Sequence, residues 1–228
     1  MKINPKIYII VPAYNEEKCI AEVIIDLKKH GYNNIIVIND GSTDDTVRIA
    51  RKNKAIVLSH PINLGQGSAI QTGLEYAIFS GADMIITFDS DGQHMAGDIK
   101  SLLEPLIDDK AEVALGSRFL DKNSNTPWIK KMMLKGGTVL LFMMYGIMLT
   151  DTHNGLRAFT ADAASKMRLE SRGMEHASEI IEKIKLEKIR YIEVPVTIRY
   201  TDYSIKKGQR ISNSLNILFK MLAKWFIR

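Results

Sequence analysis

The chain has 228 residues, 46% of them hydrophobic and 25% charged, with a formal net charge of +5. That balance excludes a disordered chain, and the length suits one domain with its own core. A single cysteine, Cys19, excludes an internal disulfide and makes a reducing cytoplasm the expected setting, with Cys19 itself an inert residue of a helix.

The first half alternates strand and helix. Residues 7–11 are an apolar run ended by Pro12, and residues 17–29 carry helical spacing through Ile20, Val23, Ile24 and Leu27 before Gly31 closes the turn. A second strand at 35–38 ends in Asn39-Asp40-Gly41-Ser42, after which Asp44 or Asp45 starts a helix. A third strand lies at 56–58. Gly65-Gln66-Gly67 is too short for a phosphate loop and reads as the start of a helix over 67–80. Residues 84–88 form a fourth strand, 98–108 a helix and 113–115 a strand. This alternation predicts an α/β fold with a mainly parallel sheet covered on both faces, whose ligands bind beyond the carboxyl ends of the strands. The segments 12–16, 40–44 and 89–93 all sit at such ends and are expected to converge.

The second half is less regular. Residues 132–149 are almost wholly apolar, and the uncharged stretch 136–149 would extend only about 21 Å as a helix. That is short of the roughly 30 Å needed to span a bilayer, so an interfacial or a buried helix is expected. A strand at 156–159, a helix at 161–167, a helix at 175–187 and a strand at 189–194 follow. The tail from Ser214 reads as an apolar helix with a narrow polar stripe of Asn216, Lys220, Lys224 and Arg228. Basic residues crowd 130–135 and 206–228, beside apolar helices, which fits an anionic membrane surface. No RNA-binding signature or helix-turn-helix pattern is present, so nucleic acid is not an expected partner. The chain opens into a strand without the charged-then-apolar pattern of a signal peptide.

The chemistry centres on Asp89-Ser90-Asp91-Gly92-Gln93. Two carboxylates one residue apart at a strand end point the same way, and the turn brings them near one point. With the neutral oxygen of Gln93 they form a hard ligand set suited to Mg²⁺ or Mn²⁺ alongside substrate phosphates. An isolated acidic pair is weak evidence, because acidic turns are common.

The neighbouring motifs are more specific. Pro12-Ala13-Tyr14-Asn15-Glu16, Asn39-Asp40-Gly41-Ser42-Thr43-Asp44, Gly116-Ser117-Arg118-Phe119 and the run from Asp151 through Asn154-Gly155-Leu156-Arg157 to Phe159 follow one another in order. Over roughly residues 6–200 the set resembles the inverting glycosyltransferases of family 2, and within them the polyprenyl-phosphate (dolichol-phosphate) hexosyltransferases. The resemblance implies a GT-A domain over residues 1–212, with an acceptor-side helical segment at 120–150 and a C-terminal amphipathic helix at 213–228. It implies transfer of a hexose from a nucleotide diphosphate sugar to a polyprenyl phosphate, at the cytoplasmic face of the membrane. Pro12, Tyr14 and Glu16 then match contacts to base and ribose. Ile38 and Asp40 match the pair flanking the base, with Asp40 accepting from a ring N–H. Asp89, Ser90, Asp91 and Gln93 match the diphosphate site, with Asp89, Asp91 and Gln93 at the metal. Arg118, Lys135 and His153 fall on the acceptor side, and Arg199 and Lys207 belong to a basic loop over the donor. Asp91 and Arg118 carry the catalytic roles.

Two departures from those relatives stand out. The motif Asp-Pro-x-Ser/Thr-Gly-Phe-Arg reads Asp151-Thr152-His153-Asn154-Gly155-Leu156-Arg157 here. The pattern after Arg199 also lacks the Gly-x-Ser-Lys of mannosyl enzymes, which leaves UDP-hexoses open as donors. A saccharide acceptor is the alternative within the same chemistry. A nucleotidyltransferase would carry a Gly-rich basic loop after the first strand, where 12–16 stands instead. A non-catalytic nucleotide-sugar-binding or adaptor protein would not need the acidic pair. The C-terminal helix is expected to lie on lipid, to dock on a small membrane protein or to make a homo-oligomer.

Overall fold

The structure, a computed structural model, describes residues 5–120 and 128–199, excluding the side chains of residues 128–135 and 140. The expected C-terminal helix, the domain boundary before it, Lys207 and the side chain of Lys135 lie outside what is described.

Seven strands form one sheet: β1 (Ile7–Ala13), β2 (Ile35–Asn39), β3 (Ile56–Ser59), β4 (Met84–Thr87), β5 (Val113–Ser117), β6 (Arg157–Thr160) and β7 (Tyr191–Pro195). Their order across the sheet is β3-β2-β1-β4-β6-β5-β7. The central strands are runs of Ile and Val buried on both faces, as a sheet covered on both sides requires. Because side chains alternate, each strand feeds two cores. Ile10, Ile36, Ile38 and Ile85 pack with Leu74 of α3 (Gln66–Phe79) and with Ile180 and Ile184 of α7 (His176–Leu186). Ile9, Val11, Val37 and Ile86 pack with Ile20, Ile24 and Leu27 of α1 (Ile20–Lys29) and with Leu102 and Leu106 of α4 (Ile99–Ile107). Helices α2 (Thr46–Lys52) and α6 (Ala161–Lys166) complete these layers.

The expected elements recur with three instructive differences. Strand β1 continues through Pro12 to Ala13, paired with β2 by Pro12↔Ile38 and Ala13↔Asn39. Its pairing with β4 stops at Ile10↔Thr87, and Ile10 accepts the last bond from Phe88 N–H. Proline is therefore tolerated where the neighbouring strand has already ended. Helix α5 (Trp128–Tyr145) ends earlier than the apolar stretch does. Gly146, at φ +68°, donates its N–H to Phe142 C=O and closes the helix in the left-handed conformation. The chain beyond leaves the helix, with Ile147 and Leu149 in the core and Met148 outside. Helix α5 is itself two-faced: Leu141 is fully buried, whereas Val139, Phe142 and Met143 are exposed.

The third difference positions the site. β6 lies between β4 and β5 and runs antiparallel to both, in a sheet whose other pairs are parallel. To enter it in that direction, the chain after α5 must return to the carboxyl ends of β4 and β5. The motif from Asp151 to Arg157 is thereby set against the turn that follows β4.

Leu102 is fully buried, while Phe79 is 90% exposed at the end of α3. Leu102→Ala is expected to cost about 2–5 kcal/mol and Phe79→Ser no more than about 0.5 kcal/mol, read from urea unfolding of each variant.

Candidate active site

The first two loop segments interlock beyond β1 and β2. Asn15 N–H donates to Ser42 Oγ at 3.0 Å, Thr43 N–H to Asn15 Oδ1 at 2.9 Å, and Glu16 N–H to Thr46 Oγ1 at 2.8 Å. Tyr14 is left exposed at this edge while Glu16 and Pro12 are buried. Ile38 has its side chain on the α3 face of β2, inside the core.

Asp40 is buried and heavily engaged. Its Oδ1 accepts from Leu64 N–H at 2.9 Å and pairs with His60 Nδ1 at 2.8 Å, and its Oδ2 accepts from Gly65 N–H at 2.8 Å. The other nitrogen of His60 lies 3.0 Å from Thr72 Oγ1. Asp40 thus fastens the segment leading into α3. Gly65 has φ +99°, and a Cβ on it would sit 2.4 Å from Arg172 C=O, so the position needs glycine on both counts. That carbonyl accepts from Gly67 and Ser68 N–H. As expected, Gly65-Gln66-Gly67 starts a helix, and the N–H groups of Gly67 and Ser68 in its first turn are taken up by Arg172.

At the end of β4 the two aspartates face different partners. Asp89 receives Gln66 Nε2 on Oδ1 at 3.1 Å and His94 Nε2 on Oδ2 at 3.0 Å. The His94 ring is packed edge-on to Phe88 with centroids 5.5 Å apart. Burial disfavours ionisation of Asp89, but the hydrogen bond and charge of His94, with Arg157 and His176, outweigh it and lower its pKa. Asp91 instead accepts from Gln93, through the backbone N–H at 3.0 Å and through Nε2 at 2.6 Å. Burial and then the charge of Asp89 push the Asp91 carboxyl upward, and Glu16 adds to this. Among the described residues no group of three or more His, Cys, Asp or Glu side chains surrounds one point. The donor set still suits a hard divalent cation: Asp91 is a carboxylate repelled by two others, and Mg²⁺ typically takes one or two carboxylates and completes its shell with phosphates and water.

The returning chain supplies the other side. Asp151 Oδ2 accepts from Arg118 Nε at 2.6 Å and from Arg118 N–H at 3.2 Å, so the expected acceptor arginine sits in a buried ion pair. Glu193 on β7 fixes that turn by accepting from Thr150 and Asp151 N–H. His153 bonds Thr152 Oγ1 through Nδ1 at 2.8 Å and lies against Gly137 of α5. Burial lowers its pKa, with Asp151 opposing and Arg157 and Arg118 assisting. Gly155 is where the sides meet: a Cβ there would lie 2.1 Å from Asp89 Oδ2. Arg199 reaches the same edge, its N–H donating to Gln93 C=O at 2.9 Å beside a bridge of His94 with Ile198.

Residues 8–168 match the family model described as glycosyl transferase family 2. This chain belongs to that family. It is 36% identical over 237 residues to UDP-N-acetylglucosamine–dolichyl-phosphate N-acetylglucosaminyltransferase of Methanococcus voltae, covering 95% of this chain and 94% of that one. An uncharacterised protein of Methanocaldococcus jannaschii is 40% identical over 221 residues, 95% of this chain and 91% of the relative. Glucosyl-3-phosphoglycerate synthase of Mycobacterium tuberculosis, solved with Mn²⁺, UDP-glucose and phosphoglyceric acid, superposes with a TM-score of 0.72. It is 19% identical and covers 97% of this chain and 80% of its own, which is a likeness of fold. The GT-A architecture expected from the motifs is the one found.

Several groups around this candidate site are not evident from the sequence alone: Gln66 and His94 on Asp89, His60 on Asp40, Asp151 on Arg118, and Arg157. Arg157 had a visible signal, a charge inside a run that otherwise reads as a buried strand. His176 also belongs to the cluster. Burial, then the charge of Arg157, pushes its imidazole down to about 4 from 6.5, while its Nδ1 bonds Gly173 C=O at 2.9 Å.

The sign of the resulting pH dependence follows from that depression. Between pH 6.5 and about 4 the unfolded chain protonates this histidine and the folded one does not. Stability from the neutral imidazole is full above the unfolded value and is lost as pH falls toward the folded one. His176→Gln should flatten the loss of stability between neutral pH and about pH 4.5 by roughly 2 kcal/mol, measured by urea unfolding at several pH values.

Proposed function

We propose that this chain transfers a sugar from a UDP-sugar to the phosphate of a polyprenyl lipid, with inversion, at the cytoplasmic face of a membrane. One observation carries the reading. The acidic turn at Asp89 and Asp91 and the Arg118–Asp151 pair meet at one sheet edge, touching where Gly155 abuts Asp89. Such a site has a pole for a cation-bound diphosphate and a pole for an anionic acceptor. The Methanococcus voltae relative supports both halves, since its name gives UDP-N-acetylglucosamine as donor and dolichyl phosphate as acceptor.

On the donor side, exposed Tyr14 and buried Glu16 serve base and ribose, with Pro12 and Ile38 contributing as the strand ends beneath them. Asp40 acts by holding the segment that enters α3, and its contact to a ring N–H uses acceptor capacity beyond the three bonds it already makes. Ser90 and Gln93 border the diphosphate, and Arg199, at the same edge, supplies positive charge to it, as does Lys207. When bound at Asp91, with Asp89 and Gln93 beside it, Mg²⁺ or Mn²⁺ would supply positive charge to the leaving diphosphate. On the acceptor side Arg118, oriented by Asp151, and Lys135 receive the lipid phosphate. His153, neutral and packed on α5, shapes that pocket.

In the reaction an ionised phosphate oxygen attacks the anomeric carbon as the bond from that carbon to the diphosphate breaks. The electron pair leaves with the nucleoside diphosphate. The acceptor carries no proton that must be removed, so positioning and electrostatics supply the catalysis. The lipid fits the outer face of α5, where Val139, Phe142 and Met143 are exposed beyond a basic segment holding Lys130, Lys131 and Lys135. No helix among the described residues is long and apolar enough to cross a membrane.

The test is turnover with a panel of UDP- and GDP-sugars and a polyprenyl phosphate. Asp91→Ala should lower kcat at least about 100-fold while the protein still unfolds cooperatively. Near-normal turnover in that variant would contradict the role of Asp91.

A further inference from the structure

Arg157 is the first residue of β6 and is paired across the sheet with Thr87 of β4 on one side and Leu115 of β5 on the other. Thr87 lies two residues before Asp89, and Leu115 three before Arg118. The side chain is therefore rooted beneath both poles of the site. It is 2% exposed. Its guanidinium makes no ion pair within 4 Å among the described residues, but at longer range its charge interacts with Asp89 first and Asp151 second, while burial pulls its own pKa down to about 10.

Its bonding is sparse for a buried guanidinium. Nη2 donates to Thr152 C=O at a long 3.4 Å, and Nη1 is buried with no hydrogen-bond partner among the described residues. Buried donors are ordinarily satisfied, and a guanidinium offers five N–H groups. A residue kept only for packing would be replaced by an apolar side chain at less cost. What this cation does in place is offset two carboxylates that have different tasks. Asp89 stands at the donor turn, and Asp151 aims Arg118.

We propose that Arg157 is a positioning residue for glycosyl transfer, a shared buried cation that sets the donor-side Asp89 and the acceptor-side Asp151–Arg118 pair at a fixed separation. Neutralising both at once ties the two binding geometries together, so that donor and acceptor are held in register for in-line attack. The inference rests on the glycosyl-transfer reading above.

The experiment compares wild type, Arg157→Met and Arg157→Lys as full-length proteins, using the UDP-sugar that the wild type turns over, Mn²⁺ and a polyprenyl phosphate. A wild type inactive with every donor would sink the transfer reading itself, separately from this inference. With an active wild type, the folded Met variant should lose at least about 100-fold in kcat and raise KM for both substrates. The Lys variant should recover at least about tenfold of that loss, because it restores the charge. Turnover within about twofold of wild type in the Met variant, or a shift in only one KM, would overturn the shared role. Should the Met variant fail to fold, the Lys variant decides. A cooperative fold with at least about tenfold lower kcat supports the inference, and unchanged kcat overturns it. Failure of both variants to fold would make Arg157 a residue of the fold and overturn it as well.

Discussion

The reversed strand β6 is the constraint on which the rest depends. Every other pairing in the sheet is parallel, so every other strand delivers its following loop to one edge and takes its preceding loop from the opposite edge. β6 alone takes its preceding loop from the edge where the other strands end. A parallel strand in that slot would carry Asp151 and Asn154 to the far side of the molecule. The antiparallel one places Gly155 against Asp89 and seats Arg157 level with Thr87. The acceptor side is thus built from a segment that follows the acidic turn only after α4, β5 and α5.

That arrangement concentrates charge in a buried place, and its hydrogen bonds show how it is tolerated. Asp151 is almost wholly buried yet accepts from Arg118, from His153 N–H and from Asn154. Asp89 has one oxygen engaged by Gln66 and the other by His94, and the charge of Arg157 also favours its ionised form. Buried ion pairs seldom add stability over apolar packing, and breaking one by removing a partner is costly. Their retention is better explained by what they orient than by what they stabilise. Asp91, by contrast, is opposed by Asp89 and Glu16 and held by Gln93 alone among the bonds described, which leaves it the group best relieved by an incoming cation.

Much of the fold was legible because apolar runs and helical spacing are local signals. Ile20, Val23, Ile24 and Leu27 announced α1, and all four are buried. The convergence of the first three loops followed from the parallel alternation alone. Strand direction was not legible, since a four-residue run such as Arg157–Thr160 reads the same in either sense. The end of α5 was hidden for a related reason: residues 146–149 are as apolar as the helix before them, and only the left-handed Gly146 separates the two. At the site, the acidic turn and Arg118 were found as residue types, but their partners were not. Nothing near Asp40 in sequence shows that His60, Leu64 and Gly65 fold back on its carboxylate.

The claim that donor and acceptor sides form one site is tested most directly at the contact between them. Mn²⁺ and UDP can be titrated together into wild type and Gly155→Ala by calorimetry, with the fold of each checked by circular dichroism. A methyl at Gly155 must displace the Asp89 carboxylate, so metal-dependent UDP binding should weaken at least about tenfold in the variant. Equal affinities in two well-folded proteins would contradict the account.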